Sequence, residues 1–85
     1  MEKKIDVSVI KEKSFDPYFV LKVSYQDDQV SFKNAIVNVV RKPPKVKIEY
    51  PDEIMPMLSQ VDIKKLELEI MHKIVEYLLN ASRRF

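Results

Sequence analysis

Residues 59–83 read SQVDIKKLELEIMHKIVEYLLNASR, and the spacing of apolar positions in this stretch decides the fold. Ile63, Leu66, Ile70, Ile74, Tyr77 and Ala81 recur at steps of three and four, which places them on one stripe of a helix. Lys65, Glu69, His72, Lys73, Glu76, Asn80 and Arg83 fall opposite, with Glu69 and Lys73 in the favourable i,i+4 order. Ser59-Gln60-Val61-Asp62 reads as a capping box: the Ser59 hydroxyl accepts an amide hydrogen bond and Asp62 replies from N3, which predicts a helix over residues 60–83. A second apolar flank of Leu68, Met71, Val75 and Leu79 widens the buried arc beyond half the circumference. One small sheet cannot cover so wide an arc, so the expectation is a homodimer with Leu68, Val75 and Leu79 in its interface.

Upstream of the helix the period shortens to two. Ile5, Val7 and Val9 alternate with Asp6 and Ser8 as in a half-buried strand, and Ser14 to Pro17 supplies a turn. From Tyr18 to Tyr25, Phe19, Leu21, Val23 and Tyr25 share one face, and Tyr18, Val20, Lys22 and Ser24 share the other. After a tight turn at Gln26 to Gln29, Val30 to Arg41 is β-branched enough to form a third strand. Its apolar set changes phase, with Val30 and Phe32 on even positions but Ala35, Val37 and Val39 on odd ones. One extra residue near Asn34 restores register, so a β-bulge is predicted there. The alternative is that Ile36 and Val40 are also buried, against a second subunit. Pro43 and Pro44 interrupt the ladder and favour an extended connection. Val46, Ile48 and Tyr50 then line one face of a fourth strand that Pro51 ends. The predicted architecture is α+β: a four-stranded antiparallel meander over residues 4–50, a connector over 51–59 and one long helix, in a single domain spanning residues 1–85.

Composition removes most chemistries. The 85 residues are 46% hydrophobic and 33% charged, as in a globular chain, with no apolar run of the ~20 residues a membrane span needs. A domain this small buries only roughly 60% of its unfolded surface, which again favours oligomerisation. There is no cysteine, hence no disulfide, thiolate nucleophile or cysteine-ligated metal. There is also no glycine, which rules out a Walker loop, a dinucleotide fingerprint and a KH-type clamp. Where turns need left-handed residues, Asp27, Asp28, Asn34 and Asn80 are the substitutes available. The first ten residues alternate polar and apolar without a continuous apolar core, so the expectation is a cytoplasmic protein.

Taken in order, these elements resemble the SpoVG family, the stage V sporulation protein G or septation regulators, over Ile5 to about Leu79. The family's opening strand looks like Ile5-Asp6-Val7-Ser8-Val9, and its acidic turn and following strand are similar to Asp27-Asp28-Gln29-Val30-Ser31-Phe32 and Ile36-Val37-Asn38-Val39. Its proline-ended fourth strand resembles Val46-Lys47-Ile48-Glu49-Tyr50-Pro51, and its pre-helix triplet resembles Met55-Pro56-Met57. The chain departs from the family at Lys42-Pro43-Pro44-Lys45, where glycine is usual, and in its shorter connector. The resemblance implies a small dimeric regulator that binds DNA or RNA, with basic residues near the C-terminal helix contributing.

The charge pattern points the same way. No acidic residue occurs from Gln29 to Ile48, a stretch that holds Lys33, Arg41, Lys42, Lys45 and Lys47. Four of these cations surround the twin prolines and could present charge to phosphates, or they could be a solvated row that discourages edge-to-edge aggregation. Lys64, Lys65, Arg83 and Arg84 form a second set, its two arginines already accounted for by the negative end of a helix dipole. Tyr18 is a candidate base-stacking ring, whereas alternation assigns Tyr25 to the core. His72 is the one histidine, flanked by Glu69 and Glu76 on the polar face, and is read as a solvated charge cluster rather than a metal site or general base. No catalytic residue, metal or cofactor is therefore expected, and the chain is not read as an enzyme. The expected partner is DNA or RNA, bound by Lys33, Arg41, Lys42, Lys45, Lys47, Arg83 and Arg84. The alternative is a protein-interaction module that docks a partner on the apolar helix flank and Met55-Pro56-Met57.

Overall fold

A computed structural model describes residues 3–42 and 44–82, apart from the side chains at 81 and 82. The chain forms strands β1 (Lys4–Val9), β2 (Tyr18–Gln26), β3 (Ser31–Lys42) and β4 (Lys45–Glu49), followed by helix α1 (Ile63–Ser82). The strands make one antiparallel sheet in the order β1-β2-β3-β4, so the α+β meander read from the sequence is the architecture observed. Short 3₁₀ helices, Lys11–Lys13 and Met55–Gln60, lie in the connections.

Register decides which side chains meet. Val7 pairs with Val23, and Leu21 with Val37, so the odd positions of β1 and β2 and the later odd positions of β3 fall on one face. Val23 pairs with Ala35 but Tyr25 pairs with Phe32: two steps along β2 correspond to three along β3. The extra residue is the predicted bulge, with Asn34 at φ 57°, where its amide donates to the Ser24 hydroxyl at 3.1 Å. The bulge brings Phe32 onto the same face as Ala35, Val37 and Val39, and all four are buried.

Asn34 is the only non-glycine residue with positive φ among those described. Asp27 shapes its turn differently, its carboxylate accepting the Gln29 and Val30 amides at 2.8 and 2.9 Å. Asn80 lies inside α1 rather than at a left-handed cap. The ladder between β3 and β4 also departs from expectation. Lys42 pairs directly with Lys45, so the β3–β4 ladder continues up to these two residues instead of breaking before them. Pro43 itself lies outside the described residues.

The helix begins at Ile63, one turn later than the capping box implied. Val61 is buried and extended (φ −88°, ψ 145°), so the helix cannot run through it, and Ser59 belongs to the preceding 3₁₀ helix. Asp62 is the cap, its carboxylate accepting the Lys65 amide at 3.3 Å. Leu66, Ile70 and Ile74 are fully buried as the stripe predicted, with Ile63 and Tyr77 packed at its edge. The Ala81 side chain lies outside the described residues. Lys73 pairs with Glu76 at 3.7 Å rather than with Glu69.

Fixed contacts at both ends of α1 set its direction. The Asp62 amide donates to the Tyr25 hydroxyl at 3.1 Å near the end of β2, while the Tyr77 ring meets Phe19 edge-on at 6.0 Å near its start. Fifteen helical residues cover about 22 Å and six strand residues about 20 Å, so α1 runs antiparallel to β2 rather than across the sheet, with its backbone closest to β1. Ile54 and Val61 of the connector complete the core, which lies entirely on this side. Burying Leu66, Ile70 and Ile74 contributes roughly 1.5–3 kcal/mol each, far above the value of an exposed ion pair. The helix is therefore held by its apolar stripe.

A polar lock joins the helix start to the β2–β3 turn. The Tyr25 hydroxyl donates to Asp27 at 2.6 Å while accepting from Asp62, and Lys3 meets the Asp62 carboxylate at 3.1 Å. Burial, then the bond to Asp27, pushes the Tyr25 hydroxyl up from its usual pKa. The Tyr25 hydroxyl, then the Gln29 and Val30 amides, hold the Asp27 carboxyl below the ordinary range. The Lys3 ammonium, then the Lys65 amide, do the same for Asp62.

Candidate nucleic-acid interface

One face of the sheet carries the core and α1. The other is bare. Alternation places on it Lys4, Asp6 and Ser8 of β1, Tyr18, Val20, Lys22, Ser24 and Gln26 of β2, and Lys45, Lys47 and Glu49 of β4. From β3 come Ser31, Lys33, Ile36, Asn38, Val40 and Lys42. None of these residues is buried. The face thus carries six lysines against two carboxylates, an excess of four positive charges, whereas the whole chain has a net charge of +2.

The lysines are arranged lengthwise. Lys42 and Lys45 are cross-strand partners, and Lys47 pairs with Val40, which pairs in turn with Tyr18. Lys22 pairs with both Ser8 and Ile36 in the middle of the sheet. Lys33 and Lys4 lie at the far end, lining a shallow depression with Asp6, Ser24, Gln26 and Ser31. From Lys42 to Lys33 is nine residues of β3, about 30 Å at ~3.4 Å per residue. Lys47 shares Glu49 at 3.6 Å, with both side chains largely in solvent, a pairing that contributes little.

Lys33, Lys42, Lys45 and Lys47 of the expected site therefore share a face, but Arg41 does not. Its odd position turns it to the helix side with Val39, where it reaches Asp16 at 3.3 Å and its Nε is buried without a hydrogen bond. Arg41 is thus removed from the candidate surface, because pleating sends neighbouring side chains to opposite faces. Arg83 and Arg84 lie outside the described residues. Lys4 and Lys22 are additions to the site. Lys22 shares parity with Tyr18 and Val20 but stands outside any local run of charge. Edge protection explains lysines on the outer strands β1 and β4, but not Lys22, Lys33 and Lys42 on the inner strands.

At the Lys42 end lie two exposed rings, Phe15 and Tyr18, with centroids 5.6 Å apart in edge-to-face contact, and the Lys42 ammonium sits 5.9 Å from the Tyr18 ring centre. On the opposite side of the molecule, Leu68, Val75 and Leu79 form an outward ridge of α1, 72%, 48% and 55% exposed.

Other features converge less. A cleft of about 500 Å³ between β1 and the second half of α1 is lined by Lys11, Lys73, Glu76, Tyr77 and Asn80, but Glu76 is already shared by Lys73 and His72. His72 is exposed, 3.4 Å from Glu76. Among the described residues no three His, Asp or Glu side chains gather where a metal ion could sit, and no helix is long and apolar enough to cross a membrane. Tyr50 donates to Glu67 at 2.9 Å, and burial followed by that contact raises its pKa, which makes it a tether between β4 and α1. Compared with protein-family models, curated proteins and solved structures, the chain matches none.

Proposed function

We propose that this protein is a cytoplasmic nucleic-acid-binding regulator that takes the phosphate backbone onto its open sheet face. The observation that carries this reading is the excess of four positive charges there, spread along about 30 Å on inner as well as outer strands. A row of that length matches a linear polyanion better than a compact ligand, and phosphate contacts give affinity with little base readout. The resemblance to the SpoVG regulators agrees with it. The test is anisotropy of a labelled oligonucleotide at low salt with the triple variant Lys42→Gln, Lys45→Gln, Lys47→Gln, beside a triple variant of the helix lysines Lys64, Lys65 and Lys73. Loss in the first alone supports the open face, and equal loss in both removes it.

A second reading rests on the helix ridge. Leu68, Val75 and Leu79 point directly away from the sheet, as a homodimer interface or a site for a partner protein requires. Sedimentation across micromolar concentrations tests self-association. A monomer throughout, unchanged by Leu68→Ser, excludes the homodimer.

A further inference from the structure

We propose that Phe15 and Tyr18 form a base-stacking station, and that the nucleic acid this protein selects is single-stranded. The inference rests on the nucleic-acid reading above. Phe15 and Tyr18 are opposite partners in a small turn closed by the Phe15 amide donating to the Tyr18 carbonyl at 2.7 Å and by the reverse bond. Opposite partners point to the same side of a pleated pair, so both rings face the lysine-bearing surface. The turn closes through its backbone and through Ser14, whose hydroxyl accepts the Val20 amide at 3.0 Å. Phe15 nevertheless keeps 65% of its surface exposed and Tyr18 43%, so a substantial part of each residue stays open to a ligand.

Surrounding charge gives the pair its partner. Lys42 lies over Tyr18 at 5.9 Å, close to the ~6 Å outer limit of a cation–π contact, so a base can replace the ammonium while the lysine turns to a phosphate. Lys47 is two strands away from Tyr18, about 10 Å at the usual strand spacing. Cations and rings therefore lie within one nucleotide or two of each other, the combination that non-specific single-strand binders use. A duplex fits the same face poorly. Four strands span about 14 Å between outer axes before side chains are added, while the ~12 Å major groove admits a helix or a two-stranded ribbon. Bases stacked inside a duplex also cannot reach Tyr18.

The experiment titrates labelled oligothymidylate of about 15 nucleotides, and the matched adenine–thymine duplex, against the wild-type chain and the Phe15→Ala, Tyr18→Ala double variant. We expect at least tenfold tighter binding to the single strand, with the preference falling toward one in the double variant. Stacking of one base corresponds to a loss of roughly 5- to 150-fold on the single strand. A Tyr18→Trp variant gives an optical readout in a chain that otherwise has no tryptophan: its emission is quenched by oligothymidylate and not by inorganic polyphosphate. Equal wild-type affinity for both nucleic acids, or single-strand binding untouched in the double variant, overturns the stacking station and leaves the charged face standing. Failure to bind either probe at low salt overturns both.

Discussion

Replacing Lys42, Lys45 and Lys47 with glutamine removes three of the six lysines on the open face, and the salt dependence of binding should report it directly. Each phosphate neutralised on a single strand adds about 0.7 to the slope of log K against log salt. Six contacts give a slope of about −4 and three a slope of about −2. Between about 50 and 200 mM salt the wild-type chain then loses roughly 300-fold in affinity and the triple variant only about 20-fold. Arg41→Gln is the internal control. It lies next to Lys42 in sequence but on the helix side, paired with Asp16, so its slope should equal that of the wild-type chain. Anisotropy titrations at four or so salt concentrations measure all three slopes, with thermal melts confirming that each chain is folded. The reasoning is refuted if Arg41→Gln flattens the slope as much as a single lysine substitution, or if the triple variant keeps the wild-type slope.

Ile70→Ala, at a fully buried position, should destabilise the fold by about 2–5 kcal/mol in urea denaturation. At the bulge, Asn34→Gly should be neutral or slightly stabilising, whereas Asn34→Val should cost about 1–2 kcal/mol, because a β-branched side chain is forced into left-handed backbone. Asp27 and Asp62 have depressed folded-state pKa values, so their contribution is complete above the ordinary carboxylate range near pH 4 and is lost as pH falls through the folded values. Urea midpoints should therefore drop below about pH 4, and Asp27→Asn should flatten that drop; an equally steep fall in the variant counts against the assignment. Leu68→Ser should leave the melting temperature independent of protein concentration if the ridge is free in solution, and should abolish a concentration dependence if the wild-type chain self-associates.

Much of the fold could be read from parity and period, because both are local. Leu66, Ile70 and Ile74 announced the buried stripe, and the phase change between Phe32 and Ala35 located the bulge with no structure at hand. The helix start was less legible because Ser59 and Asp62 both qualify as caps. What decided between them was the burial of Val61, a tertiary fact that unwinds the backbone between the two. The same limit affected the basic site. Arg41, Lys42, Lys45 and Lys47 formed one cluster on paper because the prolines suggested a break in the ladder. The strands instead pair up to Lys42 and Lys45, so pleating carries through and separates Arg41 from the lysines. Lys22 stands outside the charge run, and parity with Tyr18 and Val20 assigns it only to a face; the pairing with Ser8 and Ile36 across three strands is what sets it among the other lysines.

A sheet roofed on one side only divides the labour of its residues by odd and even number. Along β2, Phe19, Leu21, Val23 and Tyr25 are buried and hold the core, while Tyr18, Val20 and Lys22 lie on the open face where the proposed ligand would sit. Substitutions in the second set leave the core side untouched, so on the reading proposed above such a chain would change its clientele while keeping its scaffold.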